Sequence, residues 1–189
     1  LVAGDLTTTG VPLEPAGTMT YHELFEIYTE QITALAEAGA DLLVVETMLG
    51  IDEMTVALEA AQSVCTLPAL CSMTVQADGS GYFGGTCVEA VETLQELGAA
   101  AVGINCSTGP DQLESLVRNM RQAAKVPLLV KPNAGMPEIS PEGEAIYSMG
   151  PAAFAQHMRT LIDAGAALVG GCCGTDPRYI SALRDVLPR

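Results

Sequence analysis

Hydrophobic positions along the chain fall into short, nearly continuous runs, and each run is followed by a longer stretch with one apolar face. A short β-branched or apolar run is typical of a buried strand, whereas apolar residues at helical spacing indicate an amphipathic helix. The predicted strands are residues 1–3, 41–47, 69–75, 101–106, 128–132 and 167–171. The predicted helices are residues 21–38, 52–64, 87–97, 111–124, 151–164 and 177–187. The pattern therefore predicts six strand–helix units.

Turn signals support this alternation. Gly39, Gly98 and Gly165 each follow a predicted helix and precede a strand, as expected for the left-handed residue that caps a helix C-terminus. Strict alternation favours a parallel sheet covered by helices, and continuous apolar strands fit burial on both faces. Both a doubly wound sheet and an incomplete (β/α)8 barrel are compatible with six strand–helix units. The long connections 76–86 and 133–150 follow strands, at the edge where such folds carry their sites.

Composition and charge narrow the class of protein. The 189 residues are 49% hydrophobic, which is enough for one core, so we expect a single domain over residues 1–189. With 23 acidic and 8 basic residues the net charge is −15, which disfavours nucleic acid or an anionic membrane as a partner. The sequence shows no membrane-spanning run and no signal-peptide pattern. We expect a cytoplasmic protein, in which metal binding or catalysis is a better explanation for a set of six cysteines than disulfide bonds.

Three cysteines lie where predicted strands end. Cys106 ends one strand, and Cys172 and Cys173 follow another within Gly-Gly-Cys-Cys-Gly. Because the carboxyl ends of parallel strands meet at one edge, we expect the three thiols to lie together there. Three protein ligands and an open fourth position are typical of catalytic zinc, which activates a substrate thiol for attack on a methyl group. The alternative is a buried Cys106 and a tight turn, but glycines that admit an ion close to the backbone favour the metal.

Polar residues at other strand ends are further candidates. Glu46 closes a very apolar strand and is placed to hold the ammonium group of an amino-acid substrate, the alternative being a solvated strand end. Asn105 and Asn133 are either hydrogen-bonding site residues or turn formers. The remaining cysteines and both histidines are assigned to structure, surface or interface rather than to chemistry. They are Cys65, Cys71, Cys87, His22 and His157.

Three of these segments together resemble the signature of the homocysteine S-methyltransferase family. They are Gly103-Ile104-Asn105-Cys106, Lys131-Pro132-Asn133-Ala134-Gly135 and Gly170-Gly171-Cys172-Cys173-Gly174-Thr175. Residues 40–47 are similar to the family's fourth-strand segment, and the resemblance runs from residue 2 to the last helix. The family includes the homocysteine-binding module of cobalamin-dependent methionine synthase and a betaine-dependent enzyme. Residues 137–147 resemble the methionine synthase branch more.

The resemblance implies a TIM-barrel-type (β/α)8 fold with zinc on Cys106, Cys172 and Cys173 and a homocysteine ammonium group held by Glu46. The family begins with two further βα units that have no counterpart here. We therefore expect strands three to eight only, an N-terminally incomplete barrel. Its open strand edges need a missing N-terminal segment, another chain or a second copy in a homo-oligomer.

The activity implied by the resemblance is zinc-dependent methyl transfer to a thiol, homocysteine, giving methionine. The methyl donor is then methylcobalamin on a corrinoid partner domain, or a small methylated sulfonium or ammonium compound. Two alternatives stay open. One is a non-autonomous zinc-binding barrel subunit that needs a partner chain, and the other is a corrinoid methyltransferase component for another thiol or methylated compound.

Overall fold

Strands and helices alternate through the computed structural model, which describes residues 1–187. The strands are β1 (Ala3–Thr7), β2 (Leu42–Met48), β3 (Ala69–Met73), β4 (Ala101–Cys106), β5 (Leu128–Pro132), β6 (Pro137–Ile139), β7 (Ala145–Tyr147) and β8 (Ala166–Val169). The helices are α1 (Tyr21–Glu37), α2 (Ile51–Val64), α3 (Cys87–Glu96), α4 (Glu114–Ala123), α5 (Pro151–Asp163) and α6 (Pro177–Val186), with a 3-10 turn at Pro110–Gln112.

The order of strands in the main sheet decides between the two predicted architectures. Six strands pair in parallel in the order β1-β2-β3-β4-β5-β8, so each new strand joins the same advancing edge. Successive helices pack against one another along one side of the sheet. A doubly wound sheet reverses its strand order at a switch point, and this sheet does not. The prediction of a TIM-barrel-type α/β fold with six βα units is confirmed.

Local capping fixes where the helices begin and end. Thr20 and Thr86 form capping boxes with glutamates three residues later, at the starts of α1 and α3. Asp176 caps α6 by accepting a hydrogen bond from the Arg178 amide, and Pro177 occupies the first turn of that helix. The predicted C-terminal glycines have positive φ angles of 89°, 91° and 120° at Gly39, Gly98 and Gly165.

The two faces of the sheet differ in polarity, and this difference positions the site. On β2, Leu43 and Val45 are fully buried between sheet and helices. On β1, Gly4 lies against Leu35 of α1, so Asp5, the next residue, points to the opposite, inner face. The apolar core therefore lies between the sheet and its helices, while polar side chains collect on the inner face.

Two predicted boundaries are wrong and one hairpin was not predicted, each for a physical reason. The first strand continues past residue 3 to Thr7, because Asp5 faces inward while its backbone pairs with β2. The helix predicted from residue 111 begins at Glu114, after the 3-10 turn. The connection 133–150 contains the antiparallel hairpin β6–β7, whose exposed strands of three residues carry no buried periodicity.

Within residues 1–187, no helix has both the length and the apolar character needed to cross a membrane.

Candidate metal centre

The structure brings Cys106, Cys172 and Cys173 together at the carboxyl ends of β4 and β8. The Cys106 Sγ atom lies 3.1 Å from Cys172 Sγ and 3.5 Å from Cys173 Sγ, and all three sulfurs are within 4.8 Å of one another. None of the three forms a disulfide. Strand β5 lies between β4 and β8, so the thiols converge across three strands, as their strand-end positions predicted.

Residues with left-handed backbone conformation change the direction of the chain at these strand ends. Cys106 and Ser107 have φ angles of 54° and 62°, and Thr47 at the end of β2 has φ 59°. Each such residue costs on the order of 1–2 kcal/mol for a side chain with a Cβ. Hydrogen bonds hold the conformation: the Ser107 hydroxyl accepts from the Val75 amide at 2.9 Å and donates to the Asn105 carbonyl at 3.0 Å. The strain is concentrated where the first thiol leaves the sheet.

Asn105 joins two strand ends to the thiols. Its Oδ1 accepts from the Thr47 amide and the Ser72 hydroxyl, both at 2.8 Å. Its Nδ2 donates to Thr47 Oγ1 at 2.8 Å and approaches Cys172 Sγ at 3.7 Å. The side chain is 1% exposed, so these four contacts satisfy it within the protein. Asn105 therefore orients Cys172, and its predicted contact with substrate stays a prediction.

Asn133 and its neighbours anchor the turn that carries the paired cysteines. The Asn133 Oδ1 atom accepts from the Cys173 amide at 3.1 Å. The Cys172 amide donates to the Pro132 carbonyl and the Ala134 amide to the Cys173 carbonyl, both at 2.9 Å. The Gly-Gly-Cys-Cys-Gly turn is thereby fixed to the end of β5. Asn133 is buried beside the thiols, and its contact with substrate also stays a prediction.

The thiols share protons because they are so close. The hydrogen bond from Cys106, helped by Asn105, lowers the pKa of Cys172 although burial opposes this, and the same hydrogen bond together with burial raises the pKa of Cys106. Three thiolates at these distances repel one another, so full ionisation requires a cation among them. A set of three thiols suits a soft or borderline ion such as Zn²⁺. The residues therefore fit the predicted zinc ion.

Glu46 lies on the inner face at the end of β2 and forms an ion pair with Lys131 of β5. Sequence reasoning found Glu46 and missed its partner, because two strands separate β2 from β5 and no sequence spacing links the residues. A signal was present, since Lys131 is the one lysine or arginine within residues 1–187 that lies on a strand. Asp5 stands near the pair, and its pKa is raised by burial and then by Glu46, while Lys131 opposes the shift.

Glu53 on α2 is a buried carboxylate that sequence reasoning missed. It is 5% exposed and accepts hydrogen bonds from the Thr8 hydroxyl, from the Thr9 amide and hydroxyl at 2.7 and 2.9 Å, and from the Tyr28 hydroxyl at 2.9 Å. These donors hold the connection after β1 against α1 and α2. The position gave no sequence signal, because Glu53 lies in the first turn of a helix, where acidic residues are common.

The hairpin β6–β7 lies beside the thiols. The ring of Tyr147 occupies the space that a Cβ would need at Gly174, whose φ is 78°. Burial raises the pKa of Tyr147, and a hydrogen bond with Cys173 raises it further. Glycine at position 174 thus lets the hairpin close over the paired cysteines.

A parallel barrel-type sheet with three thiols at the carboxyl ends of its strands defines a TIM-barrel-type protein with a thiol-rich candidate metal centre. A family model described as homocysteine S-methyltransferase matches residues 1–187. The chain belongs to the homocysteine S-methyltransferase family.

Curated relatives and solved structures agree with this membership. The chain is 30% identical over 186 residues to methionine synthase of Mycobacterium leprae (strain TN), covering 95% of this chain and 15% of the relative. It is 31% identical over 177 residues to methionine synthase of Mycobacterium tuberculosis (strain ATCC 25618 / H37Rv), covering 90% of this chain and 15% of the relative. The chain thus spans about a seventh of these relatives.

Solved structures of the homocysteine methyltransferase MmuM from Escherichia coli have the same fold. The apo form superimposes with a TM-score of 0.79 at 26% identity, covering 99% of this chain and 63% of that one. The metallated form superimposes with a TM-score of 0.67 at 26% identity, covering 85% of this chain and 51% of that one.

Proposed function

We propose that this chain binds one Zn²⁺ through Cys106, Cys172 and Cys173 and transfers a methyl group to the thiol of homocysteine, giving methionine. The observation that carries the proposal is the convergence of three free thiols, with Sγ atoms 3.1 and 3.5 Å apart, at the edge where barrel folds carry their sites. Family membership and the existence of a metallated MmuM structure support it.

Zinc held by three thiolates supplies a position where a substrate thiol loses its proton at neutral pH and stays nucleophilic. The chain's own residues prepare that position. Asn105 orients Cys172 through its 3.7 Å contact with the sulfur, and Asn133 fixes the amide of Cys173. Glu46, on the inner face of the same sheet edge, binds the substrate ammonium group and so directs the thiol toward the cysteines. In this proposal Asn105 and Asn133 also border the bound amino acid.

The methyl donor in this proposal comes from outside the chain. The matched methionine synthases are much longer than this chain, which covers 15% of each. A methylcorrinoid such as methylcobalamin on a separate domain or partner protein would then meet the zinc-bound side of the sheet. Six free cysteines suit a reducing compartment, and we therefore propose that the reaction takes place in the cytoplasm.

The residues from 1 to 189 are proposed to act as one domain of this family. Within the part that the structure describes, β1 and β8 each have one edge with no strand paired to it. Unpaired edges favour the addition of strands, so a further barrel segment, a partner chain or a second copy is proposed to complete the sheet. This observation favours a second candidate function, that of a zinc-binding subunit that is active only with its partner.

Zinc content measured by elemental analysis tests the metal assignment. Purified chain is expected to hold about one zinc ion, and Cys106→Ala is expected to hold almost none, because two thiolates leave the ion too few protein ligands. Cys65→Ala is the matched control, since Cys65 lies at the end of α2 and is expected to leave zinc content unchanged. Stoichiometric zinc in Cys106→Ala would exclude the proposed ligand set.

Methionine formation tests the reaction and separates the two candidates. Zinc-loaded chain is incubated with methylcobalamin and homocysteine, then with a panel of other thiols. Methionine formed by the chain alone supports the methyltransferase and excludes the partner-dependent subunit. Product from another thiol but none from homocysteine would contradict the proposed substrate.

A further inference from the structure

The ion pair between Glu46 and Lys131 occupies the place that the proposed function gives to a substrate ammonium group. Both side chains are partly buried, with 22% and 21% of their surface exposed. The Lys131 ammonium contacts Glu46 Oε2 directly. A substrate amine that binds Glu46 must therefore displace the lysine, and a displaced lysine charge needs a new partner.

Lys131 is well placed to move without leaving the site. Its aliphatic stem runs beside Gly170, where an added Cβ would stand 3.3 Å from Lys131 Cγ. Glycine at this position leaves room for the stem to change its direction. The six other lysines and arginines within residues 1–187 lie on helices or, for Lys125, in the connection before β5. Within residues 1–187 no second Lys or Arg on a strand can take over its role.

The local charges leave room for one more cation. Asp5 and Glu46 are two carboxylates, and Lys131 is the one cation near them. The pKa of Asp5 is raised first by burial and second by repulsion from Glu46, while Lys131 lowers it, so Asp5 interacts with both members of the ion pair. An added ammonium group would relieve this repulsion, while an added carboxylate would be attracted by the lysine alone.

The ion pair and the thiols occupy the same strand ends. In the β4–β5 register Lys131 is opposite Asn105, whose amide approaches Cys172 at 3.7 Å, and the next pair is Cys106 with Pro132. Glu46 is next to Thr47, which exchanges two hydrogen bonds of 2.8 Å with Asn105. A short amino acid with its sulfur at the cysteines therefore directs its charged end toward the pair.

We propose that Glu46, Lys131 and Asp5 form an exchangeable recognition site for the zwitterionic end of a free α-amino acid. The substrate ammonium takes the place of the lysine on Glu46, with Asp5 as the second carboxylate. Lys131 turns to pair with the substrate carboxylate. One ion pair is exchanged for two, so Glu46 and Lys131 each keep a partner of opposite charge in a partly buried site. This inference rests on the proposed function, because it needs the substrate sulfur at the cysteines.

Three thiols of matched length separate the two charges. Homocysteine carries both, 3-mercaptopropylamine lacks the carboxylate, and 4-mercaptobutyrate lacks the amine. Calorimetric titration of the zinc-loaded 189-residue chain is expected to show the tightest binding for homocysteine. In Lys131→Met, affinity for homocysteine and 4-mercaptobutyrate is expected to fall about tenfold or more, since a charged hydrogen bond is lost. Affinity for 3-mercaptopropylamine is expected to stay equal or rise, because Glu46 is already free.

Two further variants control the result. Lys125→Met removes an exposed lysine before β5 and is expected to bind all three thiols like the wild type. Lys131→Arg keeps the charge and is expected to restore most of the homocysteine affinity. Zinc content and thermal unfolding of each variant establish that the fold is retained.

The outcomes distinguish this inference from the proposed function. Suppose that the wild-type chain binds homocysteine, but that Lys131→Met lowers the affinities for 3-mercaptopropylamine and 4-mercaptobutyrate equally or changes neither affinity. The exchange is then overturned and the proposed function stands. If Lys131→Met does not fold, Lys131→Arg decides, and equal weakening of all three thiols in it overturns the exchange. Zinc-loaded wild-type chain that binds none of the thiols overturns both.

Discussion

This chain has two sets of three cysteines, and comparing them shows how the position of a cysteine in the fold changes the properties of its thiol. Cys106, Cys172 and Cys173 lie at strand ends with their sulfurs within 4.8 Å of one another. The second set consists of Cys65 at the C-terminus of α2, Cys71 inside β3 and Cys87 at the start of α3. None of these three forms a hydrogen bond with another thiol in the described part of the chain.

The electrostatic surroundings of Cys172, in the first set, differ from those of the second set. Burial raises the pKa of Cys71 to about 12, and burial also raises that of Cys87. In the first set, the hydrogen bond from Cys106 lowers the pKa of Cys172. Residue type is the same, so the difference comes from strand-end placement and from the neighbours that the fold supplies. The following changes test that difference, from the largest expected effect to the smallest.

Replacing a thiol of the first set by a hydroxyl should have the largest effect. In Cys172→Ser, zinc affinity is expected to fall by roughly 100-fold or more, because a serine hydroxyl stays protonated and is a harder donor than a thiolate. Competition with a chromogenic chelator measures the affinity. Cys65→Ser, at the end of α2, should match the wild type. Equal zinc affinity in the two variants would remove the distinction between the sets.

Removing the side chain that orients Cys172 should have the next largest effect. In Asn105→Ala, zinc affinity is expected to fall about 10- to 100-fold, as is typical when a hydrogen-bonding partner of a metal ligand is lost. The same chelator competition measures it. Asn119→Ala on the exposed face of α4 is the matched control. Unchanged zinc affinity in Asn105→Ala would show that the 3.7 Å contact with Cys172 has no influence on the metal.

Alkylation of the zinc-free protein separates the two sets by reactivity. Iodoacetamide reacts with the thiolate, so at pH 7 Cys172, with its lowered pKa, is expected to react at least about tenfold faster than Cys71. Lowering the pH should slow Cys172 only as it falls through the lowered pKa, whereas Cys71 should stay protonated until the pH approaches about 12. Peptide mass spectrometry gives the rates. Comparable rates at pH 7 would contradict the assigned environments.

Changing a thiol of the second set should alter stability and not metal binding. Cys71 is fully buried in β3, so Cys71→Ser places a hydroxyl in an apolar core and is expected to lower the free energy of unfolding by about 1–3 kcal/mol. Cys65→Ser is expected to change it by less than about 0.5 kcal/mol, because the Ala61 carbonyl, 3.4 Å from the Cys65 sulfur, can accept its hydroxyl hydrogen. Urea unfolding measures both, and the reverse order would contradict the burial argument.

The sequence by itself determined the six βα units, the capping glycines and the strand-end placement of Cys106, Cys172, Cys173 and Glu46. Apolar periodicity and turn chemistry act over a few residues, so they can be recognised without coordinates. The parallel arrangement followed, since strands that alternate with helices return in the same direction. That was enough to predict one edge for all three thiols.

Only the tertiary structure decided how distant residues meet. The order β1-β2-β3-β4-β5-β8 distinguished the barrel-type sheet from a doubly wound one, and the inner face brought Lys131 to Glu46. The hydrogen bonds of Asn105 and the left-handed backbone at Cys106 likewise depend on strands that are far apart in the chain. Such contacts are set by sheet register and curvature, which arise from the packing of the whole fold and not from local sequence.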